Sequence, residues 1–281
     1  MSERFVVENK HGDFIILRNS GQYLLKSFDG LSSVEPEVHS VRTPYQDGET
    51  YLDSFLEPRE FEFDVIIMGN VEELRREFVR VFNPKDRLVE IRYYSESGKS
   101  RLIEAYVSEP IQFRDYHRNM VDARVRLVAP EPYWKSLDEI IHILVAYTPK
   151  FKFPLQLSTK FGIQGDFIEL NNIGDVPTPV ELTIHGYIDE PKLKNVTTGE
   201  EIGLNMTIDH DERVEINTEF GNKRVEHIDS DGNRTNVFHK ITLETKFWSL
   251  AVGKNRLEYE SLEAEGNVAV YIKKRRRYLT I

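Results

Sequence analysis

Turn-forming residues divide the second half of the sequence into short segments at intervals of about 8–12 residues, which is typical of all-β domains. The turns include Asn171–Gly174, Thr198–Gly199, Asp231–Gly232 and Gly253. Glycine, asparagine and aspartate favour such positions because they tolerate tight or left-handed backbone. The pattern predicts short antiparallel strands packed as a β-sandwich or a β-barrel.

The first half also predicts mainly strands. Two hairpins are indicated, one over Phe5–Leu17 around a Gly-containing turn and one over Leu88–Val107 around Ser95–Gly98. The segment Met120–Val128 alternates apolar and polar residues, as a half-buried strand does. The fold class expected from these patterns is therefore mainly β.

One helix is expected among these strands. Leu74, Phe78 and Val81 recur at helical spacing, with Asn70 as a candidate N-cap residue. Asn83 precedes Pro84, and a residue before proline avoids the helical region, so the helix should end there.

The polar segment Ser32–Thr50 predicts a long loop or an extended hairpin tip, either exposed or held by a partner. It contains Pro36, Pro44, Tyr45 and Asp47. A polar loop of this length usually has a partner, so these four residues are the candidate contact between subunits.

A domain boundary is expected at Ala129–Trp134, where two prolines within three residues stop the preceding strand. The predicted domains are residues 1–134 and 135–281. The next segment, Ser136–Leu144, fits either a short helix capped by Ser136 or a strand.

Composition narrows the functional classes. The 281-residue chain has a net charge of −10, which disfavours a nucleic-acid binder, and no cysteine for disulfides or thiolate chemistry. The one basic block, Lys273–Arg277, fits a charged edge strand better than a phosphate-binding patch. We expect no signal peptide and no membrane segment.

No catalytic, cofactor-binding or metal-binding motif is present, so we expect a non-enzyme. The eight histidines lack metal-site spacing, and Asp209–Asp211 fits a solvated turn better than a metal site. The acidic residues Glu57, Glu60, Glu62 and Asp64 fit a solvated strand face. If copies form a ring, some acids would instead line a channel that repels DNA phosphates.

Several short sequence segments, taken together, resemble the siphophage distal tail protein family. They are Ala129–Trp134, Phe153–Leu155, the run from Asn172 to Gly199, and Trp248–Asn255. The resemblance covers about half of the chain closely. It implies a tail-tube-like N-terminal domain, which is a β-barrel or sandwich with one α-helix, and a galectin-like C-terminal β-sandwich.

The resemblance also implies a function. It predicts a homohexameric ring at the virion tail tip, assembled in the host bacterial cytoplasm. Its partners would be the major tail tube protein and a tail-associated lysin or tail fibre protein.

Two other functions fit parts of the sequence. A carbohydrate-binding module contacting cell-wall polymer would use Trp248 as a platform for sugar stacking, with Trp134 as another candidate. The competing interpretation packs Trp248 inside the sandwich and places Trp134 in the domain junction. A glycosidase is also conceivable, but among 47 acidic residues a carboxylate pair carries no information.

Overall fold

The chain divides into two units. A computed structural model describes residues 3–147, 163–264 and 267–281. One unit comprises Met1–Leu137 together with Tyr278–Ile281, and the other comprises Asp138–Arg277. The sequence-based boundary lay at 134/135 and assigned the last four residues to the second domain. In the structure those residues belong to the first unit.

The first unit contains twelve of the strands of the described chain and its α-helix. The elements are β1 (Arg4–Glu8), β2 (Phe14–Arg18), β3 (Tyr23–Asp29), β4 (Pro36–Val41), β5 (Thr50–Leu56), β6 (Arg59–Met68), α1 (Val71–Val81), a 3₁₀ turn (Pro84–Asp86), β7 (Val89–Tyr94), β8 (Ser100–Val107), β9 (Gln112–His117), β10 (Met120–Ala129), β11 (Trp134–Ser136) and, near the chain end, β25 (Arg277–Tyr278).

A closed barrel forms the body of this unit. The strand order is β25-β11-β8-β7-β1-β2-β3-β6-β10-β9, and β8 also pairs with β10. That extra pairing joins Leu127 to Val107 and closes the sheet on itself. Closure leaves no free edge among the seven barrel strands, as expected of a β-barrel.

Strict alternation fills the barrel. In β6, Phe61, Phe63, Val65 and Ile67 are buried, whereas the residues between them face outward. A strand places successive side chains on opposite faces, so every second residue joins the core. The predicted β-barrel is confirmed.

The predicted helix is present as α1 and covers the core with Leu74, Phe78 and Val81. Asn70 occupies the N-cap position, but its side chain does not cap the helix. Its Nδ2 instead donates a hydrogen bond to Glu73 Oε2 at 2.9 Å. The chain leaves the helix at Phe82, one residue before Asn83 and Pro84.

The second unit contains the remaining strands. They are β12 (Ile140–Tyr147), β13 (Ile163–Asn172), β14 (Glu181–His185), β15 (Ile188–Asp189), β16 (Lys192–Asn195), β17 (Glu200–Gly203), β18 (Thr207–Ile208), β19 (Arg213–Asn217), β20 (Arg224–Ile228), β21 (Arg234–Asn236), β22 (Gly253–Ser261), β23 (Glu263–Ala264) and β24 (Asn267–Lys274), with a 3₁₀ turn at Phe238–Lys240.

These strands form the predicted β-sandwich. One sheet has the order β12-β24-β14-β19-β20-β21 and another the order β13-β22-β16-β17, with a small sheet β18-β15-β23. Inward side chains of the two larger sheets share one apolar core, which includes Leu182, Ile216, Leu193 and Leu257. The ambiguous segment Ser136–Leu144 contributes to strands β11 and β12 and contains no helix.

The prediction of an edge strand before the basic block was wrong. Strand β24 lies between β12 and β14, so it is an interior strand. Lys274, at its end, is only 3% exposed and donates a hydrogen bond from Nζ to the Asn171 carbonyl at 3.1 Å. The segment Phe153–Leu155 lies outside the described residues.

Candidate assembly surfaces

The polar segment predicted as a loop or hairpin tip is an extended hairpin. Strands β4 and β5 pair only with each other, and Glu57 N–H donates to the Glu35 carbonyl at 3.2 Å where the hairpin begins and ends. We call residues 35–57 the arm. Because a two-stranded hairpin is marginally stable alone, an arm of this kind is suited to gaining contacts from a partner.

A hydrogen-bonded turn forms the tip of the arm. Gln46 N–H donates to the Thr43 carbonyl at 3.2 Å, and Thr43 Oγ1 donates to Gln46 Oε1 at 2.8 Å. Pro44 and Tyr45 are the two central residues, and Tyr45 has φ = 66°. Proline followed by a left-handed residue is a feature of type II turns.

The structure brings the four predicted residues into this hairpin. Pro36 opens β4, Pro44 and Tyr45 form the turn, and Asp47 follows it, all of them exposed.

Large apolar side chains on the arm are open to solvent. Apolar patches of this kind mark interaction sites on proteins. Their exposed fractions are 55% for Val38, 47% for Val41, 108% for Tyr45, 61% for Tyr51, 62% for Leu52 and 56% for Phe55. The arm therefore has the composition of an interface that is unpaired in the single chain.

A buried arginine fixes the base of the arm. Arg59 is 3% exposed and, within the part of the chain that the structure describes, donates hydrogen bonds to four carbonyl oxygens and to no carboxylate. The acceptors are Gly30 at 2.8 Å, Ser32, Pro132 at 2.8 Å and Leu279 at 2.6 Å. Burial lowers the pKa of the guanidinium to about 10, so it stays charged at neutral pH.

Two further contacts hold the chain beside Arg59. Thr280 Oγ1 donates to the Leu31 carbonyl at 2.9 Å. Gly30 has φ = 106°, and a Cβ there would lie 2.4 Å from the Glu60 carbonyl oxygen. The segment leading into the arm is therefore tied to the end of the chain and to the start of β6.

Two acidic residues of β6, Glu62 and Asp64, form ion pairs with arginines of β10. Arg124 Nε lies 2.7 Å from Asp64 Oδ1, and Arg126 Nε lies 2.5 Å from Glu62 Oε2. Burial opposes ionisation of Asp64, but hydrogen bonds from Arg124 and Ser27 outweigh it and hold its pKa below the usual value. On this half-buried face, Glu62 and Asp64 are therefore balanced by neighbouring arginines.

Trp248 has no free face for sugar stacking. It is 1% exposed, and its Nε1 donates to the Leu193 carbonyl at 3.3 Å within the sandwich core. Trp134 is also buried, in the barrel core, where its ring meets Phe61 edge-on at 5.6 Å. The stacking role considered for these tryptophans is not compatible with their positions.

Within residues 3–147, 163–264 and 267–281, no group of three or more His, Asp or Glu side chains converges as metal ligands would. Asp209–Asp211 lies in the turn between β18 and β19. In the same ranges, no helix is both long enough and apolar enough to span a membrane.

Sequence reasoning missed Arg59, although a signal was present. Arg59, Phe61, Phe63, Val65 and Ile67 are spaced by two, so the alternation of β6 places Arg59 on the buried face. A charged residue in register with a core stripe indicates a buried polar contact.

Two family models match the sequence. The "Phage tail protein RIFT-related domain" matches residues 10–129, and the "Siphovirus-type tail component, C-terminal domain" matches residues 173–278. No curated protein matches the sequence significantly.

Solved structures match along nearly the whole chain. The crystal structure of SPP1 Dit, titled a paradigm of the hub adsorption apparatus in Gram-positive-infecting phages, has a TM-score of 0.65 at 13% identity. The match covers 96% of this chain and 98% of SPP1 Dit. A chain of the phage P2 baseplate, in its activated conformation with Ca, has a TM-score of 0.58 at 11% identity, with 100% of both chains covered.

The model that matches residues 10–129 and the model that matches residues 173–278 both describe phage tail proteins. This chain belongs to the siphophage distal tail protein family.

Proposed function

We propose that this protein is a structural subunit of the phage tail tip and forms a hexameric ring between the tail tube and the tail-tip or baseplate hub. Its first unit would build the ring, with the major tail tube protein on one face. A tail-associated lysin or tail fibre protein would occupy the other. The ring would assemble in the host cytoplasm and remain at the virion tail tip, without enzymatic activity or cofactor.

The observation that carries this proposal is the arm. It is a two-stranded hairpin with six exposed apolar side chains and a base fixed by Arg59. A rigid base with an unpaired apolar surface is the arrangement expected of an element that packs on another subunit. The family and the solved tail-hub structures support placing that subunit at the tail tip.

Removing the arm tests the proposal. A variant that joins residue 34 to residue 58 through a short Gly-Ser linker is feasible because Glu35 and Glu57 are hydrogen-bonded neighbours. We expect the intact protein to form a closed ring, alone or with the tail tube protein, and the variant to remain a folded monomer. Light scattering, negative-stain microscopy and thermal unfolding measure the three properties.

Two results would overturn the proposal. One is an intact protein that stays monomeric at all concentrations and also in the presence of the tube protein. The other is absence of the protein from purified virion tails in a mass-spectrometric analysis. A monomeric variant with an unchanged unfolding midpoint excludes misfolding as the cause of lost assembly.

A further inference from the structure

A groove of about 880 Å³ lies along the outward side of α1. Its walls are the first turn and solvent-facing residues of α1 and the turn that joins β9 to β10. The side chains that line it include those of Arg75, Arg76, Val79, His117 and Arg118. The groove is open to solvent.

The groove carries a surplus of positive charge on an acidic protein. Arg76 is 3.7 Å from Glu72, but neither Arg75 nor Arg118 has a carboxylate within 4.0 Å among the described residues. The Arg75 guanidinium stacks over the Phe113 ring at 4.5 Å and faces Tyr116 at 5.8 Å. Aromatic stacking fixes the guanidinium while leaving its N–H groups free for an anion.

The arm has the opposite charge. Its one arginine, Arg42, is outnumbered by exposed acidic residues, which are Glu35, Glu37, Asp47, Glu49, Asp53 and Glu57. The arm thus offers carboxylates and apolar side chains together. The groove offers unpaired guanidinium groups beside Val79, which is 42% exposed.

The topology separates the arm from the groove of the same chain. The arm enters β6 at Arg59, whereas α1 begins just after β6 ends at Met68. Ten strand residues separate the two by roughly 30 Å at about 3.3 Å per residue. Complementary surfaces at opposite ends of one strand suit a head-to-tail contact between copies, which closes into a ring when the rotation allows.

We propose that the arm of one copy docks in the α1 groove of a second copy, with arm carboxylates opposite Arg75 and Arg118. This inference rests on the proposed ring and adds the surface that receives the arm. Each copy would then donate one arm and accept one, so the same contact repeats around the ring.

Cysteine cross-linking tests this contact, because the chain has no cysteine of its own. One variant carries Asp47→Cys in the arm and another carries Arg118→Cys in the groove. After mixing and treatment with a short bis-maleimide, we expect a cross-linked dimer from the mixture and little from either variant alone. The matched control replaces Arg118→Cys with Lys254→Cys, an exposed site in the second unit.

The double variant Asp47→Cys/Arg118→Cys distinguishes the possible outcomes. A ladder of cross-linked oligomers supports docking between copies. A cross-linked monomer overturns it, because the arm then reaches its own groove. If light scattering shows a ring but no cross-link forms, the docking site is wrong and the ring stands. If no ring forms under any condition, both proposals fail.

Charge reversal provides an independent measurement. Arg75→Glu/Arg118→Glu should weaken self-association by about tenfold or more, and Asp47→Lys/Glu49→Lys in the partner copy should restore it. Lys254→Glu serves as the control and should leave association unchanged. Equal association of all these variants would overturn the proposed contact.

Discussion

Arg59 Nη2 donates a hydrogen bond to the carbonyl oxygen of Leu279, 2.6 Å away in space and 220 residues later in the chain. The same guanidinium holds the Gly30 and Ser32 carbonyls, so one side chain joins the end of the chain to the base of the arm. Among the described residues, its hydrogen-bond acceptors are all carbonyl oxygens, and no carboxylate accepts from it.

Replacing Arg59 should loosen both segments. We expect Arg59→Met to lower the free energy of unfolding by about 2–4 kcal/mol, because several buried carbonyls lose a charged donor at once. Arg59→Lys should recover part of the loss, since one ammonium cannot reach all four acceptors. Urea denaturation measures the stability, and hydrogen exchange at residues 30–32 and 278–281 measures the loosening. A loss below about 0.5 kcal/mol in Arg59→Met would contradict this role.

Gly30 and Gly48 form a matched pair for testing the base of the arm. Both have positive φ, but a Cβ at Gly30 meets the Glu60 carbonyl oxygen at 2.4 Å, whereas a Cβ at Gly48 meets nothing within 4 Å. Gly48→Ala should cost about 1 kcal/mol from backbone strain alone. Gly30→Ala should cost clearly more, and equal unfolding midpoints would show that the base is not rigid.

Lys274 predicts a pH dependence of stability. Burial, and to a smaller extent the positive charge of Arg276, lower its pKa to about 8 from 10.5. Between these values the unfolded chain binds more protons than the folded chain, so stability rises with pH. The free energy of unfolding should be about 2 kcal/mol more favourable at pH 9.5 than at pH 7 from this residue.

The comparison of two variants isolates that effect. Lys274→Met should remove the rise of the free energy of unfolding with pH. Relative to the unmodified protein, this variant should therefore be less stable at pH 9.5 than it is at pH 7. Lys254→Met, at an exposed lysine, should keep the same difference at both pH values. Denaturant titrations at the two pH values supply the data, and parallel profiles for both variants would refute the assignment.

Trp248 should act on stability. Trp248→Ala removes a fully buried ring and should cost about 3–5 kcal/mol. Trp248→Phe keeps most of the ring volume, so it should cost less than Trp248→Ala. The remaining cost comes from the loss of the indole N–H that donates to the Leu193 carbonyl. Thermal unfolding and a glycan-binding screen on the folded Trp248→Phe variant separate the roles. Glycan binding that this variant loses would restore the sugar-stacking interpretation.

Local patterns in the sequence were sufficient for the strands and for α1. Leu74, Phe78 and Val81 repeat at helical spacing, and the buried residues of β6 and β10 repeat at two, so the structure follows the pattern. The arm was less determined. Every residue of β4 is exposed, so the strand has no buried face for a sequence pattern to reveal, and the polar, proline-containing composition alone indicated its position.

Long-range pairing explains what sequence reasoning missed. The basic block led to the prediction that β24 is an edge strand. The prediction failed because β12, which covers that edge, lies far earlier in the chain, at Ile140–Tyr147. The groove likewise combines α1 with the turn at His117–Asn119, which no local pattern connects. The contacts of Arg59 are also long-range, since its four acceptors come from three separate parts of the sequence.

The return of Tyr278–Ile281 to the first unit makes the second unit an insertion. Strand β11 leads out of the barrel sheet and β25 lies beside it on the way back, so the two ends of the insertion are neighbours. A segment that leaves and re-enters at adjacent strands can be exchanged by recombination without changing strand order in the host sheet. The arm, the hydrogen bonds of Arg59 and the groove would persist through such an exchange, because the residues that form them all lie outside residues 138–277.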